Sequence, residues 1–113
     1  MPLSAYEIPN LRFSGEAGGV IERRRFVTIK NDGTVVQATD TSSVIGVSSL
    51  PASTGEVAEI YDGIVMVEAS AAITAGAKVK SDATGKAVTD AAGDFVAITA
   101  ASAAGELISV KVY

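Results

Sequence analysis

A chain of 113 residues with 48% hydrophobic side chains and a net charge of −4 can bury one core without covalent staples. It has no cysteine and no histidine, which excludes disulfides, thiolate nucleophiles, cysteine-ligated metals and histidine general bases. Tryptophan is absent and aromatics make up 5%, so Val, Ile, Ala and Leu must build the interior, a set suited to thin, closely packed sheets.

Residues 1–25 read differently from the rest. Pro2, Pro9, Gly15, Gly18 and Gly19 interrupt them, and neither a two-residue nor a 3.6-residue period persists. Pro9 favours an extended course. Leu3, Tyr6, Ile8, Leu11 and Phe13 are substantial apolar groups for a tail. The segment is expected to be an extended N-terminal arm, lying on its own domain or binding a neighbour. All four arginines, Arg12 and Arg23–Arg25, fall in this segment against three glutamates, while residues 26–113 hold five lysines against ten acids. So acidic a body is a poor nucleic-acid binder. The first ten residues lack the basic start and apolar run of a secretory leader. No stretch reaches the ~18 apolar residues of a membrane helix. A soluble protein made in a cytoplasm, with no membrane partner, is expected.

From Phe26 the pattern is β. Phe26–Lys30 and Thr34–Ala38 flank Asn31-Asp32-Gly33, a strong hairpin signal. Tyr61-Asp62-Gly63-Ile64 is expected to make a second hairpin between 57–61 and 64–68. Ser70–Gly76 and Ala100–Gly105 are Ala-rich but too short for stable helices, and read as loops. No long amphipathic helical pattern occurs, which argues against an α/β fold.

The chain repeats itself. Gly55–Tyr61 (GEVAEIY) returns as Gly105–Lys111 (GELISVK). Ile29–Gly33 returns, with two inserted residues, as Val79–Gly85, and Val44–Val47 echoes Phe95–Ile98 one residue out of step. In the last copy Ile108, Val110 and Val112 alternate with Ser109, Lys111 and Tyr113, as Ala58 and Ile60 do with Glu59 and Tyr61. Both copies therefore agree on the buried face. The expected fold is all-β: a small barrel or sandwich of two similar units, about 26–69 and 77–113, behind an arm of residues 1–25. The expected shared core is Ile29, Val47, Ile60, Val79, Ile98, Ile108 and Val110.

Candidate chemistry is sparse. Glu56, Glu59, Asp62 and Glu68 gather around the expected second hairpin, but acids at strand ends and turns are ordinarily solvated, and no Asp-x-Asp-x-Asp-Gly loop exists. Gly15 and Gly18-Gly19 form no phosphate loop. The hydroxyl-rich runs Thr39–Ser43 and Ser48-Ser49 contain no nucleophile elbow. No catalytic residue, metal site or cofactor is expected. Arg23-Arg24-Arg25 is the one prominent charged run. It suits phosphate, a solvated strand edge, or a clamp on an acidic partner, and its place at the join of arm and body favours the clamp.

Ala75-Gly76-Ala77-Lys78-Val79-Lys80, then Thr84-Gly85-Lys86-Ala87-Val88, Phe95-Val96-Ala97-Ile98 and Ala104–Val110 together form a pattern that resembles the capsid cement, or decoration, proteins of tailed phages. Val44–Val47, Gly55-Glu56-Val57 and Gly63-Ile64-Val65 follow the same grammar. The resemblance covers roughly residues 26–113. It implies a non-enzymatic β domain on the outer surface of the mature head in the virion. There it would sit as a homotrimer, bridging neighbouring major capsid subunits against internal DNA pressure. Leu3, Tyr6, Ile8, Leu11, Arg12, Phe13 and Arg23–Arg25 are then the expected capsid-binding residues. Two other readings are a head-fibre or tail-associated protein that binds a host surface glycan, and a small carboxylate hydrolase.

Overall fold

The computed structural model describes residues 8–39 and 44–112, with the backbone alone for 8–11 and 13. The Val- and Ile-rich runs become β1 (Ile8–Glu16), β2 (Phe26–Ile29), β3 (Val35–Gln37), β4 (Gly46–Ser48), β5 (Val57–Glu68), β6 (Lys78–Ser81), β7 (Ala87–Thr89), β8 (Phe95–Ala97) and β9 (Leu107–Val112). Among the described residues there is no helix, and all nine strands join one antiparallel sheet. Its order is β3-β2-β4-β5-β9-β8-β6-β7, with β1 also on β5. Gly63 and Ile64 pair with Pro9 and Ile8 on one side and with Val112 and Lys111 on the other, so β1 and β9 take opposite edges of β5.

The sheet curls until Val35 of β3 meets Ala17, just beyond β1, and Ala87 of β7 meets Ala69, just beyond β5. Two small half-barrels result, sharing β5 and set in a body of 41 × 24 × 22 Å. Their pairings superimpose. Val27↔Gln37 and Ile29↔Val35 recur as Val79↔Thr89 and Ser81↔Ala87, 52 residues on. Glu16↔Val57, Gly15↔Ala58 and Phe13↔Ile60 recur as Glu68↔Leu107, Val67↔Ile108 and Val65↔Val110. The second half of β5 therefore plays for the second repeat the part that β1 plays for the first. The repeats run 8–62 and 63–112, so the division expected at residue 25 falls inside the first.

Each repeat closes its own interior. Ala17, Ile21, Val27, Val35, Ala52, Ala58 and Ile60 form one cluster, and the equivalent Ala69, Ile73, Val79, Ala87, Ala101, Ile108 and Val110 all lie in the other. Phe26, Ala38 and Val47 of the first repeat also pack into the second cluster, where the Phe26 ring stacks on Phe95 at 5.2 Å. Adjacent residues Phe26 and Val27 thus serve different cores from opposite faces of one strand.

The hairpin at Asn31-Asp32-Gly33 forms as expected: the Asp32 carboxylate accepts from the Thr34 amide at 3.0 Å, and β2 and β3 flank it. The one at Asp62-Gly63 does not. β5 runs straight through these residues. Ala58 and Ile60 face the first core whereas Val65 and Val67 face the second, so the inward parity changes between them. Gly63, at φ 113°, allows that change, and β1 answers it with an irregularity between Pro9 and Leu11.

Of the expected core, Val47, Ile60, Val79, Ile108 and Val110 are fully buried. Ile98 is half-buried, and Ile29 is 47% exposed at the far end of β2. Ile29 was matched to Val79, but the register matches it to Ser81; Val27 takes the Val79 slot. Likewise Gly46, not Val44, is the counterpart of Phe95. Both displacements are by two residues, which a pleat of period two does not betray. Ser109, expected outside, is buried, and its amide donates to the Thr99 hydroxyl at 2.9 Å.

Candidate interaction surface

The N-terminal apolar residues divide. Leu3 and Tyr6 lie outside the described residues. The backbones of Ile8, Leu11 and Phe13 belong to β1, paired with Ile64, Asp62 and Ile60. The extended segment therefore adds a strand to its own chain's sheet. Arg12 is exposed on β1, its guanidinium 5.6 Å from the centre of the Tyr61 ring, a cation–π contact across the strand pair.

The three consecutive arginines do not share a face. Arg23 is exposed. Arg24 is half-buried and takes the left-handed conformation, φ 59°, at the position where the second repeat has Gly76. The equivalence is set by hydrogen bonds: the Arg24 amide donates to the Ser48 carbonyl as that of Gly76 does to Ala97. Arg25 is only 8% exposed. Its Nη1 donates to the Thr84 carbonyl at 2.9 Å, and its Nη2 lies 2.7 Å from Glu22 and 3.8 Å from Glu68. Lys86 completes the set 3.1 Å from Glu68. With the Phe26 amide donating to the Gly85 carbonyl at 2.7 Å, Arg25 fastens one repeat to the other. A desolvated guanidinium suits this work, because its planar fork satisfies several acceptors at once.

The carboxylates do not converge either. Glu68 belongs to that junction, Glu56 accepts from the Ser53 amide at 2.6 Å, and Glu59 and Asp62 lie elsewhere along β5. Among the described residues no cluster of Asp and Glu could hold a metal ion. Four other carboxyls are held below their usual range by turn hydrogen bonds. The Thr34 hydroxyl and amide lower Asp32. The Ala92 amide and then Lys80 lower Asp90, and the Ser102 hydroxyl and amide lower Glu106. At Asp82 burial pushes upward, but the Thr84 and Lys86 amides and the Thr84 hydroxyl outweigh it. These acids brace turns. That use was not legible from residue type, because the same Asp could equally have been solvated.

What the first repeat does display is an apolar ledge. Val57 is 74% exposed, Val20 71% and Leu50 59%. A groove of about 430 Å³ runs between Arg12, Ser14, Leu50, Pro51, Val57 and Glu59. A second, of about 220 Å³, shares Pro51 and takes in Val20, Glu22 and Glu56. The three exposed side chains thus form one surface rather than scattered singles. Glu22, Glu56 and Glu59 rim it, with Arg12 at one end. None of these apolar residues stood out in the sequence. Val57 sits at an edge-facing position of the repeated motif, and Leu50-Pro51 looks like an ordinary loop.

A family model for phage cement proteins matches residues 7–112 of the chain. No curated protein sequence matches it. Among solved structures, the N base of the bacteriophage phi29 head fiber gp8.5 is similar, with a TM-score of 0.74 and 16% identity over 91% of this chain and 93% of that one. At that identity the likeness is one of fold.

Proposed function

Because the chain belongs to the phage cement protein family, we propose that it docks on the outer surface of a mature tailed-phage head, bridges neighbouring major capsid subunits as a homotrimer, and stabilises the shell against internal DNA pressure. The family match carries this reading, since it spans both repeats and not one motif. The surface supports it. The first repeat offers an exposed apolar ledge on an all-β body. Residues 1–25 contribute through Arg12 and Arg23, which remain exposed, whereas Arg25 serves the junction between repeats. The head-fibre alternative has one observation of its own: the likeness to a head-fiber base extends over both repeats. In that reading the same ledge seats the protein on the head, and any glycan would be bound elsewhere.

The deciding experiment adds purified protein to mature heads that lack it. Saturable, stoichiometric binding and heads that withstand more heat or osmotic shock are expected. Heads that bind no protein, or bind it with no gain in durability, would overturn the stabilising role.

A further inference from the structure

The two repeats share one hydrogen-bond plan, so surface residues on the shared strands and bridges of one have counterparts in the other. That makes the second repeat an internal control for the first. Ile21 and Ala52 exchange hydrogen bonds as Ile73 and Ala101 do, which aligns Val20 with Ala72, Leu50 with Thr99 and Pro51 with Ala100. The β1–β5 and β5–β9 registers align Val57 with Leu107 and Glu59 with Ser109. At these positions the second repeat has a small side chain at Ala72 and Ala100, a buried Thr99 and Ser109, and a half-buried Leu107. The ledge is therefore no by-product of the scaffold. One copy of the plan lacks it and still closes its core.

The rim identifies the occupant. Glu56 and Glu59 face it with one arginine, Arg12, in the same grooves, and Glu22, paired with Arg25, borders it. A second copy docking ledge to ledge would set these glutamates against themselves, a like-charge arrangement that disfavours self-pairing. An apolar face carrying lysines or arginines fits both the ledge and its rim. Resting on the reading of the protein as a capsid cement, we infer that the first repeat is the shell-facing end, its Val20, Leu50, Pro51 and Val57 ledge seated on an apolar, basic patch of the capsid subunit. The second repeat then stands away from the shell. Its Val96 is the single large aliphatic residue of that repeat that is exposed rather than buried or half-buried among the described residues.

The test compares three proteins on heads that lack the cement: the parent, the triple variant Val20→Ser, Leu50→Ser, Val57→Ser, and the control Ile29→Ser, Val96→Ser. The control removes exposed apolar groups away from the ledge. The triple variant should bind at least roughly tenfold more weakly and the control like the parent. A fourth protein, Glu56→Lys with Glu59→Lys, leaves the apolar ledge intact and should also bind more weakly, and the parent's affinity should fall with added salt. A density map of decorated heads should show β4 and the start of β5 nearer the shell than β8. A parent that fails to bind removes the cement reading and this inference with it. A parent that binds while the triple variant binds equally well leaves the cement reading standing and overturns the inference alone. So does a ledge whose loss abolishes self-association of the free protein but not head binding.

Discussion

The first repeat and the second are built on the same plan and yet differ in many of the side chains that meet water, Val20 against Ala72 and Glu59 against Ser109 among them. Glu16↔Val57 through Phe13↔Ile60 and Glu68↔Leu107 through Val65↔Val110 are one register written twice. Even an accessory contact is kept: Glu56 accepts from the Ser53 amide, and Glu106 from that of Ser102. Backbone hydrogen bonds and about seven inward side chains per repeat preserve the scaffold. The outer face is free to diverge: among the described residues the first repeat exposes Val20, Ile29, Leu50 and Val57, and the second only Val96 among its large aliphatic groups. The cores differ as well. The second is filled by large groups of both repeats, while the first has Ala58 where the second has Ile108.

The sharpest way to break the equivalence is at that slot. Ile108→Ala should cost roughly 2–5 kcal/mol by deleting buried methylenes. The reverse change at the matching position, Ala58→Ile, should overfill the smaller core and cost roughly 1–3 kcal/mol. Denaturant unfolding reads both. Equal losses, or none at Ile108, would show that the two interiors do not differ as described.

A smaller effect is expected at the residue where the repeats meet. Gly63 holds φ 113° where β5 passes from one core to the other, so Gly63→Ala should cost roughly 1–3 kcal/mol in backbone strain. A variant with the parent's melting temperature would mean that the change of face needs no special backbone.

Acid should separate the repeats further. Three of the four lowered carboxyls, Asp82, Asp90 and Glu106, lie in the second repeat and only Asp32 in the first. Lowered values mean that their contribution is present above the unfolded pKa, about 3.8 for Asp and 4.5 for Glu, and is lost as pH falls through the folded values. The Thr84, Ala92 and Ser102 amides, which donate to these groups, should keep their exchange protection through the ordinary carboxylate range and lose it as pH falls below that range, through the lowered values. NMR-detected exchange would show it. Protection that persists to pH 2 would remove the role of these turns.

The mildest change tests Arg24 against Gly76. Placing glycine in the left-handed position of the first repeat, Arg24→Gly, relieves strain and should leave stability unchanged or raised by less than about 1 kcal/mol. A clear loss in thermal unfolding would show that the Arg24 side chain contributes more than its backbone costs.

Much of this was legible in the residues. Alternation in Ala58, Ile60, Ile108 and Val110 marked the buried face, and Asp32-Gly33 marked a turn. Asp62-Gly63 carried the same local signal and means something else, because a glycine that permits a turn also permits a strand to change faces. Ile29 and Val79 looked equivalent because a slip of two residues leaves every side chain on its own face. Arg25 was indistinguishable from Arg23, since burial depends on Glu68 and Thr84, more than forty residues away.

By itself, the sequence determined that this is an all-β chain with a duplicated unit, a core of small aliphatic groups and none of the histidine or cysteine that most catalysis requires. Those properties reside in composition and in local periodicity, which need no knowledge of partners. The tertiary structure alone decided that Ile8–Glu16 is the first strand of the first repeat, that β5 serves two cores, and that Val20, Leu50 and Val57 share one surface. Each of these depends on which strand lies beside which. Sheet order is set by contacts between distant residues, and a pleat of period two records the face of a strand but never its neighbour.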